Sequence, residues 1–208
     1  MEACLAYLRW RNRLGENSVY EKIRKRRSTR KYLQKAVPEE ALLKCVDAAR
    51  LSPSGRNRQP LRYAIVNYPK LLKQVFSTLS WAVDLPDYYP TDEEMPRAYI
   101  VLLLDKNGRT PIHDAGIAAM SISMVAYDEG LGSCIMASVD REKLRRILDV
   151  PESLAIELVV ALGYPAENSV IDAVNDGDTK YWLDDNAVLH VPKLNLKDVV
   201  QWNKYKKD

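Results

Sequence analysis

The segment RRSTR, Arg26 to Arg30, sets three arginines around a Ser-Thr pair just after a short helix-forming stretch. Guanidinium forks bind phosphate oxygens bidentately, and hydroxyls and loop N–H groups add neutral donors. This mixture suits one phosphomonoester better than a nucleic-acid duplex. It lies inside KIRKRRSTRKY, Lys22 to Tyr32, in which seven of eleven residues are Lys or Arg. For the outer residues Lys22, Arg24, Lys25 and Lys31, a solvated helix end is the plainer reading.

A second loop, PSGRNRQP from Pro53 to Pro60, offers a different chemistry. Gly55 allows close backbone approach, and Ser54, Asn57 and Gln59 can hydrogen-bond the polar edge of a flat heterocycle. An ordinary helix-to-strand connection would have the same composition, so neither loop is diagnostic by itself.

Other reactive sets lack their parts. His113 and His190 are far apart, with no GxSxG elbow and no second ligand at metal spacing, so neither a hydrolase triad nor a zinc site is read. Cys4, Cys45 and Cys134 are odd in number, form no CxxC and are too few for a four-thiolate cluster. Gly130-Leu131-Gly132 follows a helix, whereas a dinucleotide fingerprint follows a strand, so it reads as a helix end and turn. Asp114 reads as a carboxylate offsetting a helix dipole. No catalytic side chain and no metal is assigned.

Charge narrows the classes further. Lys and Arg total 31 against 28 Asp and Glu, a net +3, and Glu21 to Tyr32 alone contributes +6. The rest of the chain is therefore about −3, which is not the diffuse basicity of a polyanion-coating protein. The start of the chain lacks a signal-peptide pattern, and no stretch approaches the ~20 apolar residues of a membrane span. With unpaired cysteines, these features predict a cytoplasmic protein with no membrane or nucleic-acid partner.

The elements that must carry the loops follow from periodicity and caps. Ser18 to Glu21 forms a capping box opening a short helix, and residues 1–17 read as an N-terminal extension to a domain over 18–208. A helix from Val37 with core-facing Leu42, Cys45, Val46 and Ala49 leads into the second loop. Strands are expected at Leu61–Val66, Ala98–Leu104 and from Leu154 to Gly163, with an extended piece at SCIMASV, a helix over Pro69–Leu79 and one over Asp140–Leu148. Trp81 to Pro96 is a long aromatic, proline-punctuated loop. Asp114 to Gly132 is apolar or small on nearly every face, predicting a central helix buried on all sides, a surface that would also suit a partner subunit. The tail reads as a polar loop, an apolar run at VLHVP and a last helix from about Leu196. Helices and strands do not alternate regularly, so the fold class is α+β.

Taken together, RRSTRKY and SPSGRNRQPLRYAIV resemble, in order and spacing, the RRSxR and PSxxNxQPW segments of the nitroreductase family. DAGIAAMSISMVAYDEGLGSCIMASVD is similar to its dimer-interface helix, GLG turn and flavin-side strand, and LVVALGYPAE and VLHVPKLNLKDVV to its late strand and C-terminal segment. Leu61 replaces the usual tryptophan, and the lysine-rich tail is thinned to Lys193.

The resemblance implies an α+β nitroreductase-like fold, a central mostly antiparallel sheet surrounded by helices, in a domain-swapped homodimer with FMN at the subunit interface. By position, Arg26, Arg27, Ser28 and Arg30 would hold the phosphate and ribityl chain. Pro53, Ser54, Gly55, Asn57 and Gln59 would line one edge of the ring. Ile135, Met136, Ala137 and Ser138 would pass beside it, and Lys193 would add a phosphate contact. It further implies hydride transfer from NAD(P)H through FMN to a nitroaromatic, quinone or similar small acceptor in a ping-pong cycle. In the loop from Trp81 to Pro90, Trp81, Tyr88 and Tyr89 are candidates for contacting that acceptor, on aromatic content. Two alternatives stay open: the same fold with another flavin reaction, such as reductive dehalogenation or a flavin-consuming role, and a non-enzymatic nucleic-acid-binding protein using the basic 22–32 stretch.

Overall fold

The computed structural model of the chain describes residues 18–82, 85, 88–106, 113–174 and 177–205. The extension expected over residues 1–17 lies outside the described residues. Two compact units are present, one within Met1–Trp81 and Pro90–Ala166, the other within Ala82–Tyr89 and Glu167–Asp208.

In the first unit, α1 (Val19–Lys25) opens at Ser18, whose Oγ accepts from Glu21 N–H at 3.2 Å. The capping box is half made, because the Glu21 carboxylate pairs with Arg24. Helix α2 (Glu39–Leu51) starts two residues later than the sequence suggests, with Pro38 as its N-cap. Then come β1 (Leu61–Val66), α3 (Pro69–Phe76), β2 (Ala98–Asp105), α4 (His113–Asp128), β3 (Gly132–Met136), α5 (Arg141–Ile147) and β4 (Leu154–Gly163).

The four strands form one antiparallel sheet in the order β1-β2-β4-β3. Strand β2 is apolar from Ala98 to Leu104 because both of its faces are covered. Tyr99, Val101 and Leu103 join the cluster containing Leu72, Val75 and Leu144 of α3 and α5, while Ala98, Ile100 and Leu102 join the one containing α2 and α4. A period of two on a doubly covered strand gives a continuous apolar run.

Helix α4 corrects one expectation. Its inner face, including Ala115, Ala118, Ala119, Ile122 and Ala126, is buried, but Gly116 and Ile117 are exposed and Met120, Ser121 and Met124 are partly open. The helix is therefore not buried on all sides within one chain. Small and apolar composition alone cannot distinguish burial in a core from burial against a second molecule.

The second unit holds β5 (Asn168–Ala173), β6 (Trp182–Leu183) and β7 (Val188–Lys193), with β7 parallel to β5 and antiparallel to β6, followed by a four-residue α6 (Leu196–Val199). His190 of β7 bonds Asp172 of β5 at 2.5 Å and stacks on Trp182 of β6 at 4.0 Å between ring centroids, tying the three strands through side chains. Among the described residues no helix is long and apolar enough to cross a membrane.

Candidate functional site

The arginine segment runs along the edge of β3. Thr29 N–H donates to the Ser133 carbonyl at 2.9 Å, and Ser28 and Ser133 form a parallel bridge. Tyr32, buried just beyond, donates from its hydroxyl to the Thr29 carbonyl and bridges Pro165. The chain can lie this close because of Gly132. A Cβ there would sit 2.5 Å from Thr29 Oγ1, with the Thr29 Cβ at 2.7 Å. In the GLG sequence, Gly130 is the left-handed helix terminator at φ 74, while Gly132 makes room for the clamp.

Burial holds both the Arg26 and Arg27 guanidiniums below their ordinary range, and for Arg27 the neighbouring Arg26 charge adds to the effect. Neither meets a carboxylate among the described residues, and the Nε of each is buried without a hydrogen-bond partner there. Arg26 and Arg30 both lie close enough to Cys134 to act on its thiol, which burial pushes up against their pull. Partly desolvated guanidiniums lacking a counter-charge are favourable partners for an anion. Arg27 is the most structurally committed, since its Nη2 donates to the Ile23 and Arg24 carbonyls at the end of α1.

Next to this clamp the sheet leaves a gap. Strand β3 is an edge strand, covered at Ser133 by Ser28, and the chain just beyond it is bridged at Val139 by Leu79, with the Ser138 carbonyl accepting from Ser80 N–H. Between those two bridges run Ile135, Met136, Ala137 and Ser138, the residues expected beside a flavin. Met136 is buried, whereas Ile135, Ala137 and Ser138 are exposed.

The PSGRNRQP loop forms a separate structure beside the start of α4. Gly55 to Asn57 make a single 3-10 turn, and Arg56, Asn57 and Gln59 take positive φ of 53, 54 and 49. Left-handed backbone at non-glycine residues costs of order 1 kcal/mol each and persists only where surrounding bonds enforce it. Here Gly55 N–H donates to both Asp114 carboxylate oxygens (3.3 and 3.2 Å), Gln59 N–H to Ser54 Oγ (2.9 Å), and Arg62 Nη1 to the Gln59 carbonyl (3.1 Å). Ser52 Oγ meets Ser121 Oγ at 2.7 Å, a second tie to α4. Pro53, Ser54 and Gln59 line a cleft of about 290 Å³ with Arg62, Tyr63 and Asp114, while Asn57 is exposed.

The structure thus brings Arg26, Ser28 and Arg30 to the β3 edge beside Ile135–Ser138, and assembles Pro53 to Gln59 elsewhere. Trp81 is 6% exposed and packs on Phe76 at 5.6 Å, which makes it a core residue. Tyr88 is buried and Tyr89 is 49% exposed, both in the second unit, where Lys193 ends β7 exposed. Sequence reasoning missed Asp114, Thr29 and Gly132 as site-building residues, because their partners lie roughly 60 to 100 residues away in the chain.

The chain belongs to the nitroreductase family, whose sequence profile matches residues 23–164. This is a family of FMN-dependent oxidoreductases. A Methanothermobacter thermautotrophicus protein provisionally named NADH dehydrogenase/NAD(P)H nitroreductase is 31% identical over 166 residues, 75% of this chain and 82% of the relative. An iodotyrosine deiodinase of Thermotoga neapolitana is 24% identical over 166 residues, 71% and 88% of the two chains. Among solved structures, an FMN-dependent nitroreductase from Clostridium difficile superposes with a TM-score of 0.67 at 26% identity, covering 88% of this chain and 98% of that one.

Proposed function

We propose that this chain is an FMN-dependent NAD(P)H oxidoreductase that reduces a nitroaromatic, quinone or similar small acceptor, working as a homodimer with each flavin between subunits. The observation that carries the reading is the half-buried Arg26 guanidinium, which meets no carboxylate among the described residues and stands with Arg30 beside the open stretch of β3. FMN bound there would supply the redox chemistry, accepting hydride and passing electrons to the acceptor. Arg26 and Arg30 bind the phosphate, Ser28 adds a hydroxyl, and the β3 edge from Ile135 to Ser138 offers backbone donors to the ring.

The positions of the two half-sites support the dimer. The Asp114 contact with Gly55 marks one end of α4, and the Lys22–Asp128 ion pair places the base of the clamp at the other. Fourteen residues of helix at ~1.5 Å each separate them by roughly 21 Å. A twofold axis across the open face of α4 brings the clamp of one subunit toward the ring-edge loop of its partner. In the tail, Trp202 and Tyr205 are 78% and 86% exposed, as suits an arm exchanged between subunits.

A second reading keeps the site and changes the acceptor: similarity to the Thermotoga neapolitana deiodinase favours reductive dehalogenation of a halogenated phenol. Steady-state oxidation of NADH and NADPH with a nitroaromatic, a quinone and an iodophenol as acceptors separates the two. The main reading expects the first two to turn over at least tenfold faster than the iodophenol, and the reverse order selects the second. Failure of every acceptor to stimulate oxidation contradicts both.

A further inference from the structure

Asp114 is only 5% exposed and stands in the first turn of α4, where a carboxylate is favoured by the helix dipole. Its hydrogen bond, however, runs to Gly55, 59 residues earlier, with the N–H shared between the two carboxylate oxygens. Gly55 opens the turn in which Arg56 and Asn57, and just beyond it Gln59, adopt left-handed backbone. Gly55 itself does not have a positive φ, so the glycine does not relieve the strain. The loop's own Ser54–Gln59 bond holds part of the shape, and Asp114 is the buried group outside the loop that fixes the start of the turn. Its charge is also felt across the cleft, where burial first and Asp114 in addition hold the Tyr63 phenol above its ordinary range, against the pull of Arg62.

We infer that Asp114 is a positioning residue for the flavin. Through Gly55 it fixes the 53–59 loop in the shape that meets the ring edge, and its negative charge behind that loop makes the flavin harder to reduce. This inference rests on the FMN reading above. The electrostatic half follows from sign alone: a fixed negative charge near the ring disfavours the reduced, anionic flavin. Asn at this position keeps an acceptor for Gly55 N–H and removes the charge, whereas Ala removes both.

The test compares wild type, Asp114→Asn and Asp114→Ala by FMN titration, by the midpoint potential of bound flavin, and by amide exchange at Gly55 in the flavin-free protein. The Ala variant is expected to weaken FMN binding by about tenfold or more and to speed exchange at Gly55. The Asn variant is expected to bind FMN within about threefold of wild type and to show a more positive potential. A carboxylate serving only as a helix cap would leave Gly55 exchange unmoved in both variants, and that result overturns the positioning role; a potential unmoved in both variants overturns the electrostatic one. So does an Ala variant that binds FMN as wild type does. If wild type takes up no FMN, the cofactor reading falls, while exchange at Gly55 still reports whether Asp114 holds the loop.

Discussion

The Thr29 N–H to Ser133 carbonyl hydrogen bond, 2.9 Å long, joins the arginine segment to the edge of β3 and fixes where a phosphate would bind relative to the open strand. Arg26 and Arg30 flank that junction in the chain, and both charges act on the buried Cys134 thiol of β3. The clamp therefore depends on the sheet as well as on its own charge.

Arg26→Ala and Arg30→Ala should each weaken FMN binding by about one to two orders of magnitude, since a hydrogen bond to a charged group contributes about 1.5–3 kcal/mol. Arg27→Ala should weaken it less and lower helix stability more, because Arg27 already caps α1. Fluorescence titration of FMN and thermal melts measure the two effects. Equal losses of affinity for all three would show that Arg27 is as much a ligand as the others.

Gly132→Ala places a methyl group 2.5 Å from Thr29 Oγ1 and should push the clamp away from β3. Overpacking of this kind costs about 1–3 kcal/mol. A lower melting temperature together with weaker FMN binding is expected, and Thr29→Gly in the same chain should recover part of both. An alanine variant with unchanged melting and affinity would contradict the close approach.

Met120→Arg puts a charge on the open face of α4, between Gly116 and Met124. Sedimentation should show monomers in place of dimers, and the flavin should be lost with the partner. A charged variant that stays dimeric would move the interface elsewhere.

Burial pushes the Cys45 thiol up to about 12, and Cys134 is shifted the same way. The folded chain keeps these protons while an unfolded thiol releases its own near pH ~8.5. The Cys45 contribution to stability is therefore complete below that pH and is lost progressively toward pH 12. Urea midpoints should fall between pH 8 and pH 10.5, and less steeply in Cys45→Ala. A parallel fall in the variant would assign the alkaline loss to other groups.

Much of the fold could be read from local pattern. The Ser18 cap, β1 at Leu61–Val66 and the end of β4 at Gly163 lie where the sequence places them. The strands at Asn168–Ala173 and Trp182–Leu183 did not announce themselves, because NSVIDA carries no clean alternation and a two-residue strand has no period at all. The arginines and the PSGRN loop were visible as residue types. What anchors them, Ser133 for one and Asp114 for the other, was hidden by sequence distance. Trp81 shows the converse limit: aromatic content in a loop marks a core contact with Phe76 as readily as an acceptor contact.

The most direct measurement is the absorption spectrum of the purified protein, with FMN added back if it is lost in purification. The purified protein should be yellow, bind FMN stoichiometrically and show flavin bands that bleach on adding NADH or NADPH under anaerobic conditions. A colourless protein that takes up no FMN at micromolar concentrations, or bound flavin that neither nucleotide reduces, would contradict the FMN reading.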